Sequence, residues 1–148
     1  MNILVIHGPN LNLLGTREPG VYGTITLEEI DEMIRVRARE LGVEAKVVNY
    51  SSEGDIIDEI HSSAGWAAGI VINPAAYTHY SIAIRDALAA VALPAVEVHL
   101  SNIFAREEYR RVSITGGAAT GVIAGLGPAG YLYALDYLAN VLSGADPE

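Results

Sequence analysis

No cysteine occurs in the 148 residues of this chain. That excludes a disulfide framework and thiolate chemistry, and makes the cytoplasm the expected location. Long hydrophobic runs are missing too. None approaches the roughly 18 apolar residues of a membrane span, and the N-terminus has no basic lead-in to a signal peptide. Positive charge is scarce, with 9 Lys and Arg against 18 Asp and Glu. A net charge of −9 and a pI of 4.8 make nucleic acid and anionic membrane poor partners. The histidines show no metal-ligand spacing, and neither a nucleophile elbow nor a Walker sequence occurs. No repeat, linker or low-complexity segment interrupts the chain, so 1–148 reads as one domain, with 143–148 as a loose tail.

Apolar residues are plentiful. They make up 51% of the chain, and the mean hydropathy is +0.28, high for a small soluble monomer. The surplus predicts buried subunit interfaces. The few arginines are unevenly placed: Arg35, Arg37 and Arg39 fall in the first helix, and Arg17, Arg106, Arg110 and Arg111 in two loops. An acidic protein that concentrates arginine in loops suits a small carboxylate or phosphate. For any single one of them, a solvated surface charge is the plainer reading.

Strand and helix patterns alternate along the whole chain. Strands are expected at about Asn2–Ile6, Ala45–Tyr50, Gly69–Ile72, Ala95–Leu100 and Thr120–Ala124. Between them lie a helix opened by the capping box Thr26-Leu27-Glu28-Glu29 and closed at Gly42, one after Ser52, one over about Ser81–Ala92, and a last one from Pro128 to about Leu142. Such alternation predicts an α/β fold: a flavodoxin-like, doubly wound, five-stranded parallel sheet in the order 2-1-3-4-5.

In sheets of that class ligands bind beyond the carboxyl ends of the strands. Here those ends carry His7–Asn12, Asn73-Pro74, His99-Leu100-Ser101-Asn102 and Gly125-Leu126-Gly127. Glu97 and His99 are two apart on one strand and so share a face. A carboxylate inside a central strand is costly unless paired, and Glu97 is placed to orient that imidazole. A structural hydrogen bond at the sheet's end is the plainer alternative. His79 lies just before a helix that Ser81 can cap. His61 reads as solvated, and His7 as no more than the end of a strand. Gly125-Leu126-Gly127-Pro128-Ala129-Gly130 matches the dinucleotide fingerprint, but it follows the last strand, so no ribose-binding acid comes after it. A tight turn is the better reading.

The connection from His7 to Tyr22 is far longer than the two to six residues usual between strand and helix. It holds Asn10, Asn12, Arg17 and Tyr22 among glycines and prolines, with Leu11, Leu13, Leu14 and Val21 as apolar anchors. Loops of this kind tend to be functional. A phenol titrates near 10, and a guanidinium close by favours the phenolate. Tyr22 beside Arg17 is therefore a candidate general base.

The ordered motifs His7-Gly8-Pro9-Asn10-Leu11-Asn12-Leu13-Leu14-Gly15, Arg17-Glu18-Pro19, Val21-Tyr22-Gly23, Asn73-Pro74, Tyr77-Thr78-His79, Glu97-Val98-His99-Leu100-Ser101-Asn102-Ile103, Arg106-Glu107-Glu108-Tyr109-Arg110 and Gly125-Leu126-Gly127 resemble the type II 3-dehydroquinate dehydratases from Ile3 to about Leu142. The resemblance implies dehydration of 3-dehydroquinate to 3-dehydroshikimate by anti elimination through an enolate, with neither metal nor organic cofactor. It makes Tyr22 the base, with Arg17 lowering its pKa. His99 becomes the general acid, oriented by Glu97, and Asn10 the holder of a water against the enolate. Asn73, His79, Asp86 and Arg110 would bind the substrate with the backbone at Leu100 and Ser101, and Arg106 would help to hold or close the loop. A homododecamer built of trimers is likewise implied. Two positions depart from the family pattern: Ala75, where glycine is common and where a positive φ would strain an alanine, and Tyr80, where a small hydroxyl residue is common. A nucleotide- or flavin-binding module is the competing reading, and a pseudoenzyme that keeps only the assembly role is a third.

Overall fold

The structure, a computed structural model, describes residues 1–16, 20 and 23–144. Five strands, β1 (Asn2–His7), β2 (Glu44–Asn49), β3 (Gly69–Asn73), β4 (Ala95–His99) and β5 (Gly121–Ala124), form one sheet. Every pairing is parallel, and the order is β2-β1-β3-β4-β5. The flavodoxin-like, doubly wound reading of the sequence is thus the observed architecture. Between the strands run α1 (Leu27–Leu41), α2 (Glu53–Ser63) and α3 (Ile82–Val91), and α4 (Ala129–Leu142) follows β5.

The helices begin where local chemistry starts them. Thr26, Ser52 and Ser81 sit in extended backbone, and their hydroxyls accept from the N–H groups of Glu29, Asp55 and Ile84. Gly42 ends α1 at φ 69, the left-handed conformation glycine adopts without penalty. α3 ends instead on Ala92 at φ 54.

The period of two in the strands divides the core. Ile3, Val5, Val71, Val96 and Val98 face α1 and α4, packing with Ile30, Ile34, Leu135 and Leu138. Leu4, Ile6, Ile70, Ile72 and Ala95 face α2 and α3, packing with Ile56, Ile60, Ile84 and Leu88. The same alternation sends His7 and Asn73 to the α1/α4 side, and Glu97 and His99 to the other. Among the described residues no helix is long and apolar enough to cross a membrane.

Candidate active site

At the carboxyl edge of β1, β3 and β4 the loops surround a cavity of about 230 Å³. Pro9, Asn10, Leu11 and Leu14 come from the β1 loop, Asn73, Ala75, Ala76 and His79 from the β3 loop, and His99, Leu100, Ser101, Ile103, Arg106 and Arg110 from β4 and beyond. A close approach of the β1 and β3 loops makes this edge possible. The Gly8 N–H donates to the Asn73 carbonyl at 2.8 Å, and a Cβ at Gly8 would stand 2.6 Å from the Pro74 carbonyl oxygen. Only glycine lets the two loops approach this closely.

His99 is 5% exposed and Glu97 is fully buried. The imidazole Nε2 lies 2.9 Å from Glu97 Oε2 and donates to it, which leaves Nδ1 for the cavity. Ser113 donates to the same carboxylate at 2.6 Å, and Thr115 donates to its other oxygen. Thr78 Oγ1 lies 2.8 Å from the Ser113 hydroxyl and 2.7 Å from the Thr115 hydroxyl and donates to one of them. Burial by itself pushes the Glu97 carboxyl up, but the hydrogen bond and charge of His99, with the two hydroxyls, outweigh it and hold the group below the usual carboxylate range. Glu97 is therefore an anion at neutral pH, with its lone pairs committed to His99 and the 113–115 turn.

The other walls are polar donors on apolar backing. His79 Nδ1 donates to the Val112 carbonyl at 2.7 Å, so its Nε2 is left to the cavity. Arg110 is held by Glu107 at 2.7 Å, and Arg106 reaches Ser101 Oγ at 3.4 Å. Asn10 stands at φ 69 and Ala75 at φ 53. Ala75 forms the left-handed turn in which Asn73 Oδ1 accepts its N–H at 3.0 Å; the conformation costs an L-residue about 1–2 kcal/mol. No carboxylate lines the cavity among the described residues. In a chain of charge −9 this hollow, with two arginines and two imidazoles on its wall, suits a small anion carrying hydroxyls.

The sequence matches the family described as Dehydroquinase class II over residues 1–139. A protein named 3-dehydroquinate dehydratase from Halothermothrix orenii is 55% identical over 140 residues, covering 95% of each chain. Another of that name from Caldanaerobacter subterraneus is 53% identical over 145 residues, 96% of this chain and 98% of its own. The chain belongs to the class II dehydroquinases. The crystal structure of the type II dehydroquinase from Propionibacterium acnes superposes with a TM-score of 0.91 at 47% identity, over 94% of this chain and 96% of that one. The enzyme from Butyrivibrio crossotus gives 0.92, also at 47% identity, over 93% and 97%.

Of the residues that the dehydroquinase resemblance singled out, Asn10, Asn73, His79, His99, Leu100, Ser101, Arg106 and Arg110 line the cavity, with Glu97 directly behind His99. Asp86 does not. It lies on the outer face of α3 with its side chain 69% exposed, 4.0 Å from Arg85. Tyr22 and Arg17 lie outside the described residues. The glycine motif after β5 is a turn: Gly125 and Gly127 stand at φ 88 and 61, and their N–H groups donate to the carbonyls of His99 and Leu100. Those donors are spent on holding the end of β4 and are not offered to a phosphate.

Two features were not legible beforehand. The two hydroxyls on Glu97, from Ser113 and Thr115, come from a polar loop without periodicity. His7, read as a strand terminus, is fully buried and bonded through both nitrogens, to Tyr131 Oη at 2.9 Å and Asp31 Oδ1 at 2.7 Å. A histidine closing a strand on the same face as core valines was the available signal.

Proposed function

We propose that this chain is a 3-dehydroquinate dehydratase that forms 3-dehydroshikimate by anti elimination. The observation that carries the reading is His99, backed by the buried Glu97 anion, opening into a cavity shared with Arg106 and Arg110. In this scheme Tyr22, as phenolate, takes the proton from C2. The electrons of that C–H bond pass into an enolate whose charge rests on the C3 oxygen, where a water held by Asn10 donates to it. The enolate then collapses, the C1–O bond breaks, and the hydroxyl leaves as water with a proton from His99. Nε2–H stays on Glu97 throughout, which keeps the transferable proton on Nδ1. Arg17 stabilises the phenolate. Leu14, three residues before Arg17 in the sequence, lines the cavity.

Arg110, His79, Asn73 and the backbone at Leu100 and Ser101 bind the carboxylate and hydroxyls, and Arg106 steadies the loop. The scheme asks for no metal or organic cofactor. The step serves the shikimate route to aromatic compounds or the breakdown of quinate, in the cytoplasm, within one domain that assembles as a homododecamer. Neither nucleic acid nor membrane is a partner.

Adding 3-dehydroquinate to chelator-treated protein tests the reading. The absorbance of a conjugated enone should rise at protein concentrations far below that of substrate. A flat trace would overturn it.

A further inference from the structure

Beneath the floor of the cavity four side chains join in one line. Asp31 on α1 meets His7 Nε2 at 2.7 Å, His7 Nδ1 meets Tyr131 Oη at 2.9 Å, and Tyr131 Oη meets Asn73 Nδ2 at 3.0 Å. His7 and Asn73 are register partners at the ends of β1 and β3, and Tyr131 rises between them from the first turn of α4, 1% exposed. Of the four, only Asn73 lines the cavity.

The chemistry of the groups sets the direction of every hydrogen bond in this line. The Ala75 N–H donates to Asn73 Oδ1 at 3.0 Å, so the amide cannot be flipped without setting two donors against each other. Nδ2 then donates to Tyr131 Oη. Burial pushes the Tyr131 phenol up, so it keeps its proton. Having accepted from Asn73, that hydroxyl donates to His7 Nδ1, which must be the unprotonated nitrogen. The His7 proton sits on Nε2 and goes to the Asp31 carboxylate. Reversing any one link leaves a buried N–H or O–H facing another donor.

We propose that Tyr131 and His7 are positioning residues. By accepting one Nδ2 hydrogen of Asn73 and passing the direction of the chain on to Asp31, they hold the amide so that its second Nδ2 hydrogen is presented to the cavity. Asn73 then acts on the ligand as a donor, toward a substrate oxygen, and is not free to turn its carbonyl oxygen inward. The inference rests on Asn73 contacting substrate, as proposed above.

The test combines kinetics with imidazole 15N spectra. In the free protein, His7 should show the Nε2–H tautomer with Nδ1 as an acceptor. A neutral Nδ1–H form, or a doubly protonated ring, at neutral pH would overturn the chain outright. Asn73→Ala should raise KM about tenfold, and Tyr131→Phe should raise it by a similar factor with kcat within about twofold, the mark of lost ground-state binding. In the Asn73→Ala background Tyr131→Phe should have no further effect on KM, because the group it positions is gone. Additive effects, or a normal KM in Tyr131→Phe alone, would overturn the positioning role while leaving the Asn73 contact intact. A normal KM in Asn73→Ala would remove the contact itself and the proposal with it. If Tyr131→Phe does not fold, the partly exposed Asp31 offers a second variant. Asp31→Ala should leave His7 in the Nε2–H tautomer, because Tyr131 still donates to Nδ1, and a switch to the Nδ1–H form would overturn the direction assigned to the chain.

Discussion

Glu97 shows how much a single buried group can govern. It sits inside a central strand, where a lone carboxylate would be untenable, and the structure surrounds it with one imidazole and two hydroxyls. Because its native pKa lies below the unfolded value, the unfolded chain binds more protons in the acid range, so stability rises with pH there. The stabilisation is complete above the unfolded carboxyl value of about 4.3 and is lost as pH falls through the depressed native value. Glu97→Gln should therefore flatten the acid side of a plot of Tm against pH, and should lower kcat by about tenfold or more as the orientation and charge of His99 are weakened. Superimposable acid limbs would show that the anion is not what stabilises the site. The proposed base makes its own demand: Tyr22→Phe should abolish nearly all turnover while leaving substrate affinity, measured by calorimetry, close to that of the parent. Full activity would refute the assignment. Arg17→Lys should also lose most of kcat, since an ammonium does not reproduce the guanidinium geometry, and a normal rate would count against it. Glu97 and His99 were legible because alternation along a strand puts them on one face. The Ser113 and Thr115 hydroxyls were not, because nothing in the spacing of a polar loop reveals what it folds onto.

At the scale of elements, the chain is readable where local rules act alone. The capping box at Thr26, the serine caps of α2 and α3, and Gly42 mark helix ends by hydrogen bonding and φ preference within a few residues. Strand ends were less sharp. β1 and β3 each continue one residue further than the apolar runs suggest, because His7 and Asn73 keep the extended backbone while turning polar side chains onto the α1/α4 face. That face was closed to prediction, since His7 and Tyr131 are 124 residues apart. The left-handed Ala92 was equally hidden, for a φ of 54 at alanine runs against preference, whereas Ala75 at φ 53 was signalled by the glycine common at that place. Ala92 offers a clean test. It is exposed and ends α3 where glycine normally would, so Ala92→Gly should relieve the strain and raise stability by about 0.5–1 kcal/mol, even after the added freedom of the unfolded chain. Chemical denaturation reads this directly, and a loss of stability would mean that the left-handed turn is not strained. Gly8→Ala acts in the opposite sense. Its Cβ would meet backbone atoms of Pro74, so the β1 and β3 loops must part, and substrate affinity should fall together with stability.

For the whole molecule, the two sheet edges differ. The outer strand β2 carries Glu44 and Lys46 along its length, charges that discourage further pairing. The other outer strand, β5, reads Gly121-Val122-Ile123-Ala124 and carries none, and Val122, Leu126, Tyr133 and Tyr137 are all exposed nearby. An uncharged edge flanked by exposed apolar side chains is the kind of surface that the proposed homododecamer would cover. The family resemblance names Asp86 a substrate ligand, yet it is exposed on α3 and does not line the cavity of its own chain. Both statements hold together if a neighbouring copy supplies Asp86 to the cavity. Each active site would then join His99 of one chain to Asp86 of another. His99→Ala and Asp86→Ala should each be nearly inactive as pure assemblies. Dissociated and reassembled together, they should regain part of the parent activity, because some mixed interfaces pair an intact His99 with an intact Asp86. Sedimentation of the mixture establishes that mixed oligomers have formed. Activity no higher than the sum of the two pure variants, in a sample shown to be mixed, would place Asp86 outside the site and leave it a surface charge beside Arg85.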